Sequence, residues 1–277
     1  MSDIPTRILR QIRRYEPVET EGLVLYPILV EEYEEYLTAR AAIEFMHQRL
    51  PRVFLNMPLL QAYYALDSQS VKDDKLPTGL MARAVLFLAL SLRIGQGLPV
   101  DKRVSLFRPK LDEKGRLKSI CFTPDGEEIC EITPAKFQRL RPILAAQNGL
   151  EIPPDDANPE LVDTEQEIAR KKAPELDIEL ESLIASVAAL SGSEETEIYG
   201  WPIAKLQRRQ RAIHRALDYL VFGIGESQGT KWKKGNPVPN PFFDKKKEGS
   251  AAKVALSEFA SGAAIDAVRE GIDAQSQ

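Results

Sequence analysis

Apolar positions recur along this chain with two different periods, and the switches between them predict its elements. In "YEPVETEGLVLYPI" the alternation is of period two, with Gly22 at a turn, Leu23–Tyr26 as a strand and Pro27 ending it, which predicts an N-terminal hairpin. The period then lengthens. "VEEYEEYLTARAAIEFMHQ" places Tyr33, Tyr36, Leu37, Ile43 and Phe45 at near-helical spacing and is closed by Pro51. A second helix is expected over Met57–Leu66. A third, from about Thr78 to Ile94, is apolar nearly all round, the mark of a helix at the centre of a core.

From Arg103 the period returns to two. "RVSLFRPKL", "RLKSICFT" and "EEICEI", separated by "DEKG" and "PDG", predict a three-stranded antiparallel meander over 103–132. A two-residue turn at Asp125-Gly126 sets Cys121 opposite Cys130. Helix resumes in "TPAKFQRLRPILAAQNG", with Thr133 as N-cap, Pro134 at the first helical position and Asn148-Gly149 as the stop.

The proline- and acid-rich stretch "LEIPPDDANPE" marks a domain boundary near 150. Beyond it two helices are expected. One starts at Pro174 with a stripe through Leu176, Leu180, Leu183, Ile184, Val187 and Leu190. The other is "WPIAKLQRRQRAIHRALDYLVFGIG", with Ile203, Leu206, Ile213, Leu217, Leu220 and Ile224 on its buried side. The fold class is therefore α+β and mainly α-helical: an N-terminal hairpin with helices, a three-stranded meander and a helical C-terminal half. The domains are 1–150 and 151–277, the second carrying a basic aromatic loop and an Ala/Ser-rich tail.

Composition narrows the class without naming it. Of 277 residues, 43% are hydrophobic and 28% charged, as in ordinary globular chains and unlike disordered or disulfide-built ones. The opening "MSDIPTRILRQIRRYEP" has no apolar signal-like run, and the longest apolar run, Ala84–Leu90, is far below the roughly 18 residues a membrane span needs. A cytoplasmic protein is expected, with its two cysteines as free thiols. Candidate chemistry is sparse. His47 and His214 each fall in an expected helix without a partner at metal-ligand spacing, and "GIGESQG" follows a helix where a phosphate loop would follow a strand. No nucleophile, acid or base constellation stands out, so no enzyme, cofactor or metal is expected.

Charge distribution says more than the net charge of −4. Residues 201–247 carry eleven Lys or Arg against three acids, whereas 151–200 carry three against fourteen. Arg208, Arg211 and Arg215, at i, i+3 and i+7, form one helical stripe that Asp177, Glu179 and Glu181 are expected to meet. "KWKKGNPVPNPFFDKKKEG" then joins Lys231, Lys233 and Lys234 to Trp232, Phe242 and Phe243, with Pro237, Pro239 and Pro241 favouring an extended path. Large aromatics in such a strip suit docking on protein, either this chain's own second domain or a partner. Phosphate binding needs an uncompensated basic face, and here an acidic block adjoins it.

"GLVLYPILVEEYEEYL" resembles the beginning of tail assembly chaperones of tailed bacteriophages and prophages, where a hairpin ending in an aliphatic-Pro-Ile turn leads into an acidic, tyrosine-bearing helix. "WPIAKLQRRQRAIHRALDYL" followed by "GTKWKKGNPVPNPFFDKKK" resembles the C-terminal part of proteins from the same tail-morphogenesis neighbourhood. The likeness covers about a third of the chain in two blocks. It implies a non-enzymatic protein of the host cytoplasm that coats the tape measure protein during tail assembly, with no catalytic site to carry over. The length and the meander depart from the usual pattern, which keeps a structural tail or neck component of the virion as a sister reading. Nucleic-acid binding through 201–247 is the third.

Overall fold

The computed structural model describes residues 4–68, 79–154, 157–172, 179–231, 236–238 and 240–242. The chain is α+β and mainly helical, with two small antiparallel sheets. An amphipathic helix that the opening residues did not suggest comes first. This helix, α1 (Thr6–Arg13), buries Ile8 and Ile12, four apart on one face. The hairpin follows as β1 (Val18–Thr20) and β2 (Leu23–Leu25), paired Val18 with Leu25 and Thr20 with Leu23. Its turn residues Glu21 and Gly22 both have positive φ, 53° and 73°, the mirror-image turn whose twist matches that of paired strands.

The core is built on α2 (Tyr33–Glu44), α3 (Leu59–Ser68) and α4 (Leu80–Ser91). Every residue of α4 from Ala84 to Ser91 is buried, as its all-round apolar pattern requires. The region after it corrects the sequence reading: Val100–Ser105 is a helix, α5, where a strand was expected from Arg103. Pro99 stands at the N-cap position without a side-chain cap, and Asp101 lies in the first turn, where the helix dipole favours an acid. Arg103 is drawn inward, only 4% exposed, with Nη1 donating to Glu32 Oε1 at 3.0 Å and Nε to the Gly95 carbonyl at 3.1 Å. Helical winding sets the direction of Arg103, so period two fails here.

The meander itself is β3 (Phe107–Leu111), β4 (Leu117–Phe122) and β5 (Cys130–Ile132) in the order β3-β4-β5. A turn of 3₁₀ helix at Pro124–Gly126 connects β4 to β5 and sets the register to Cys121 with Glu131 and Phe122 with Cys130. The expected pairing of the two cysteines is therefore off by one. Because side chains alternate along a strand, that single step puts the thiols on opposite faces of the sheet. Cys130 shares one face with Phe122, while Cys121 shares the other with Ser119, and both of these last two are buried. Burial is the first cause raising both thiols above their ordinary value, which keeps them protonated.

α6 (Pro134–Gln147) has the expected caps: Thr133 Oγ1 accepts from Lys136 N at 3.2 Å, and Gly149, at φ 71°, follows the helix end. After it come α7 (Pro159–Lys172), for which no helix was expected, α8 (Leu180–Ser191), the short α9 (Glu195–Tyr199) and α10 (Ile203–Ser227). Of the stripe expected on α8, Ile184 and Val187 are buried and Leu190 is exposed, while Leu176 lies outside the described residues.

One polar cluster ties the two halves of the chain together. Asn148, fully buried, accepts from Ile28 N through Oδ1 at 2.8 Å, donates from Nδ2 to the Leu144 carbonyl at 2.9 Å and takes the Tyr36 hydroxyl on its own carbonyl at 3.1 Å. On the other side of the same strap, Ile203 N donates to the Ile28 carbonyl at 2.9 Å and Val30 N to the Trp201 carbonyl at 2.9 Å. Residues 28–30 thus run between the end of α6 and the start of α10, and Trp201, Ile203 and Leu206 join the main buried cluster. Burial pushes the Tyr36 hydroxyl up to about 12.

Candidate functional site

The start of α10 is held from several directions. Trp201 is buried, its indole Nε1 donates to Glu197 Oε1 at 3.0 Å, and the Lys205 ammonium stands 3.8 Å from its ring centroid. Gly149 packs beside the helix: a Cβ there would be in ordinary contact with Ala204 at 3.5 Å and would displace the movable end of Gln207, while its φ of 71° is what disfavours other residues. Ile203 and Leu206 sit in the core, and Ile213, half-buried, packs against it.

Beyond Ile213 the same stripe continues without cover among the described residues. Leu217, Leu220, Val221 and Ile224 are 44%, 59%, 65% and 57% exposed. This corrects the sequence reading, which put Leu217, Leu220 and Ile224 on the buried side. The spacing holds, but the helix, at 25 residues about 37 Å long, outruns the body it packs on. The stripe is also narrow. Ile203 and Leu206, then Ile213, Leu217, Leu220 and Ile224, fall on the alternating three- and four-residue steps of a paired-helix seam; Gln210 is the one polar residue at a seam position between them, and Val221 widens the stripe. Three-four spacing from Ile213 to Ile224 beside an arginine-rich opposite face was the signal in the sequence that distinguishes a pairing helix from a core helix.

The candidate arginines are on the other side. Arg215 lies two residues before Leu217, about 200° away around the helix. Arg208 and Arg211 are exposed, and Arg211 Nε donates to the Gln207 carbonyl of its own helix at 3.4 Å. The acids expected to meet this stripe do not do so among the described residues, where no ion pair joins Arg208 or Arg211 to a carboxylate. Glu179 and Glu181 are both at or near the surface, and Asp177 lies outside the described residues.

Arg215 Nη1 reaches the Phe242 carbonyl at 2.8 Å, so the chain after α10 returns along the arginine side. Two asparagines shape that return: Asn236 Oδ1 accepts from Val238 N at 2.8 Å and Asn240 Oδ1 from Phe242 N at 2.7 Å. Each is followed by a proline, so the Asn-Pro-X unit turns twice where an extended polyproline path was expected. The Phe242 ring is 76% exposed and Lys231 is exposed. Trp232, Lys233, Lys234 and Phe243 lie outside the described residues.

The remaining candidates scatter. His47 falls in a 3₁₀ turn (His47–Arg49), with its Nε2 buried and without a hydrogen-bond partner among the described residues, and His214 is exposed on α10. Gly223 and Gly225 belong to the last turns of α10, with Gly229 at φ 89° just beyond it, so "GIGESQG" forms no phosphate-binding loop. A shallow cleft of about 230 Å³ is walled by Leu86, Val100 and Val104, with Arg83 and Asp101 as its charged groups. Among the described residues no three His, Cys, Asp or Glu side chains are grouped to hold a metal, and no helix is long and apolar enough to cross a membrane. Comparison with protein-family models, with curated proteins and with solved structures gives no match.

Proposed function

We propose that this chain is a non-enzymatic docking protein of phage or prophage tail assembly, whose client is an apolar face of the helical tape measure protein. The supporting observation is the exposed stripe Leu217, Leu220, Val221 and Ile224 on a helix anchored firmly at its other end. Such a stripe, with anchors at i, i+3, i+4 and i+7, is the apolar face by which one amphipathic helix packs on another. The two blocks that resemble tail-morphogenesis proteins meet here, because the strap at 28–30 is hydrogen-bonded to the first residues of α10. Co-expression tests the reading: the wild-type chain is expected to keep the tape measure protein of the same genome soluble, and Leu220→Glu to lose that effect. A tape measure protein that stays insoluble with wild type overturns it. Finding this chain in purified virions transfers the role to a structural tail or neck component.

A second reading has an observation of its own. The arginine face of α10 is exposed, and Arg208 and Arg211 have no acid partner among the described residues, which favours phosphate contact more than the charge blocks alone do. Retention of duplex DNA by the wild-type chain, lost with Arg208→Glu and Arg211→Glu, would carry that reading over the first.

A further inference from the structure

We infer that the exposed seam of α10 is an antiparallel pairing surface for a second copy of this chain. The inference stands on the geometry of α10 alone and holds whether or not a tape measure protein is the client. A helix segment of about 14 residues is marginal in water without packing. The segment after Ile213 also contains Gly223 and Gly225, each unfavourable in a helix interior. Yet it is helical to Ser227 with its apolar side chains exposed, so it calls for a covering surface. The opposite side is where the chain returns, with Arg215 on the Phe242 carbonyl, and this leaves the seam as the face to be paired.

The seam is complementary to itself in one orientation. Laid antiparallel with Leu217 level with the partner copy's Leu220, the register also brings Ile213 level with Ile224, and a twofold axis repeats both layers. Ala216 and Gly223 lie along one edge and allow close approach of the backbones; Val221 closes the other. No lysine, arginine or carboxylate lies on the seam itself in this overlap; Asp218, level with its midpoint, falls more than about 100° away around the helix. Parallel pairing is disfavoured because each α10 is anchored to its body at Ile203 and Leu206, so two bodies would compete for the same end. Antiparallel pairing puts them at opposite ends of an overlap about 27 Å long.

Size fixes the expected strength. Four side chains of Leu, Ile or Val size, each roughly half exposed, leave roughly 400 Å² of apolar surface on each protomer. With the flanking residues the pair would cover on the order of 1,000 Å² in total, the lower edge for specific interfaces. The dimer is therefore expected to be concentration-dependent, with a Kd on the order of 10 μM.

Sedimentation velocity of the full chain from about 1 to about 200 μM tests this. The expected result is a 31.0 kDa species at the dilute end and twice that mass at the concentrated end. Leu220→Glu and Ile224→Glu, both at exposed positions, are expected to weaken pairing by about 100-fold with an unchanged far-ultraviolet dichroism at the dilute end. Arg208→Glu, on the other face, is expected to leave pairing as it was. Orientation is read by disulfide formation in a thiol buffer, where a mixture of Leu217→Cys and Leu220→Cys chains is expected to cross-link several-fold more than either alone. Cys121 and Cys130 are common to all samples and set the background. A constant monomer mass, a dimer indifferent to Leu220→Glu, or cross-linking strongest within Leu217→Cys alone overturns the inference. Monomer mass together with slow amide exchange at 217–224 would assign the cover to this chain's own residues 243–277 and overturn it equally.

Discussion

The two ends of α10 carry the same apolar pattern and meet different surroundings. Ile203 and Leu206 are buried to within 1%. Leu220 and Ile224, on the same stripe about four and five turns beyond Leu206, are more than half exposed. The first end is fixed by Ile28, Val30 and Gly149, all from the N-terminal half of the chain, and the second has no such neighbours among the described residues. Periodicity thus specifies which face of a helix is apolar, and says nothing of where along the helix the cover stops. The difference between the ends is what makes one structural and the other available for docking.

The largest expected effect belongs to the body that holds the first end. Glu32→Ala leaves the Arg103 guanidinium charged, 4% exposed and, among the described residues, with the Gly95 carbonyl as its remaining partner. Breaking a buried pair by removing one partner costs about 3–5 kcal/mol, and urea denaturation is expected to read a loss of that size. Next comes the direct contrast. Leu206→Ala is expected to cost about 3 kcal/mol through lost burial and the cavity left behind. Leu220→Ala, measured at about 1 μM where pairing is negligible, is expected to cost less than about 0.5 kcal/mol. Equal costs would mean that the second end is covered as well. Asn148→Ala should fall between these: it leaves the buried Ile28 amide without its acceptor, an expected loss of about 1–3 kcal/mol.

Much of this fold is legible in the sequence where local chemistry decides it. Gly22 in the hairpin turn, the Thr133 and Pro134 start of α6, and the all-round apolar α4 act through their own residues and immediate neighbours. The failures are tertiary. Arg103 reads as an outward residue of a strand until Glu32, 71 positions earlier, is brought beside it. The cysteine register depends on how one connection is wound, and a 3₁₀ turn in place of a two-residue turn moves Cys130 to the other face. Of the candidate site, the arginine stripe is legible in full as spacing, yet its expected acid partners are not where the charge blocks suggested. Leu217, Leu220 and Ile224 were found by pattern and given the wrong surroundings, because exposure depends on the size of the body and not on the helix.

The smallest expected effect tests the remaining face of the same helix. Arg208 and Arg211 are exposed and make no ion pair with a carboxylate among the described residues, although the preceding fifty residues hold fourteen acids. If those acids act only through a screened surface field, reversing either charge changes little, and Arg208→Glu is expected to alter stability by less than about 0.5 kcal/mol in 0.15 M salt. A loss above about 1 kcal/mol would show that the arginine is held within the fold and is unavailable to a phosphate. A near-zero change leaves the cation free to act on a partner, and the salt dependence of binding then identifies which kind. Duplex DNA must be released with a slope of about −0.9 in log K against log salt for each phosphate neutralised, whereas an apolar helix seated on Leu220 and Ile224 is held as well or better when salt rises. Two faces of one helix, about 200° apart, thereby separate by a single titration into an apolar docking seam and an electrostatic face whose charges are measurable on their own.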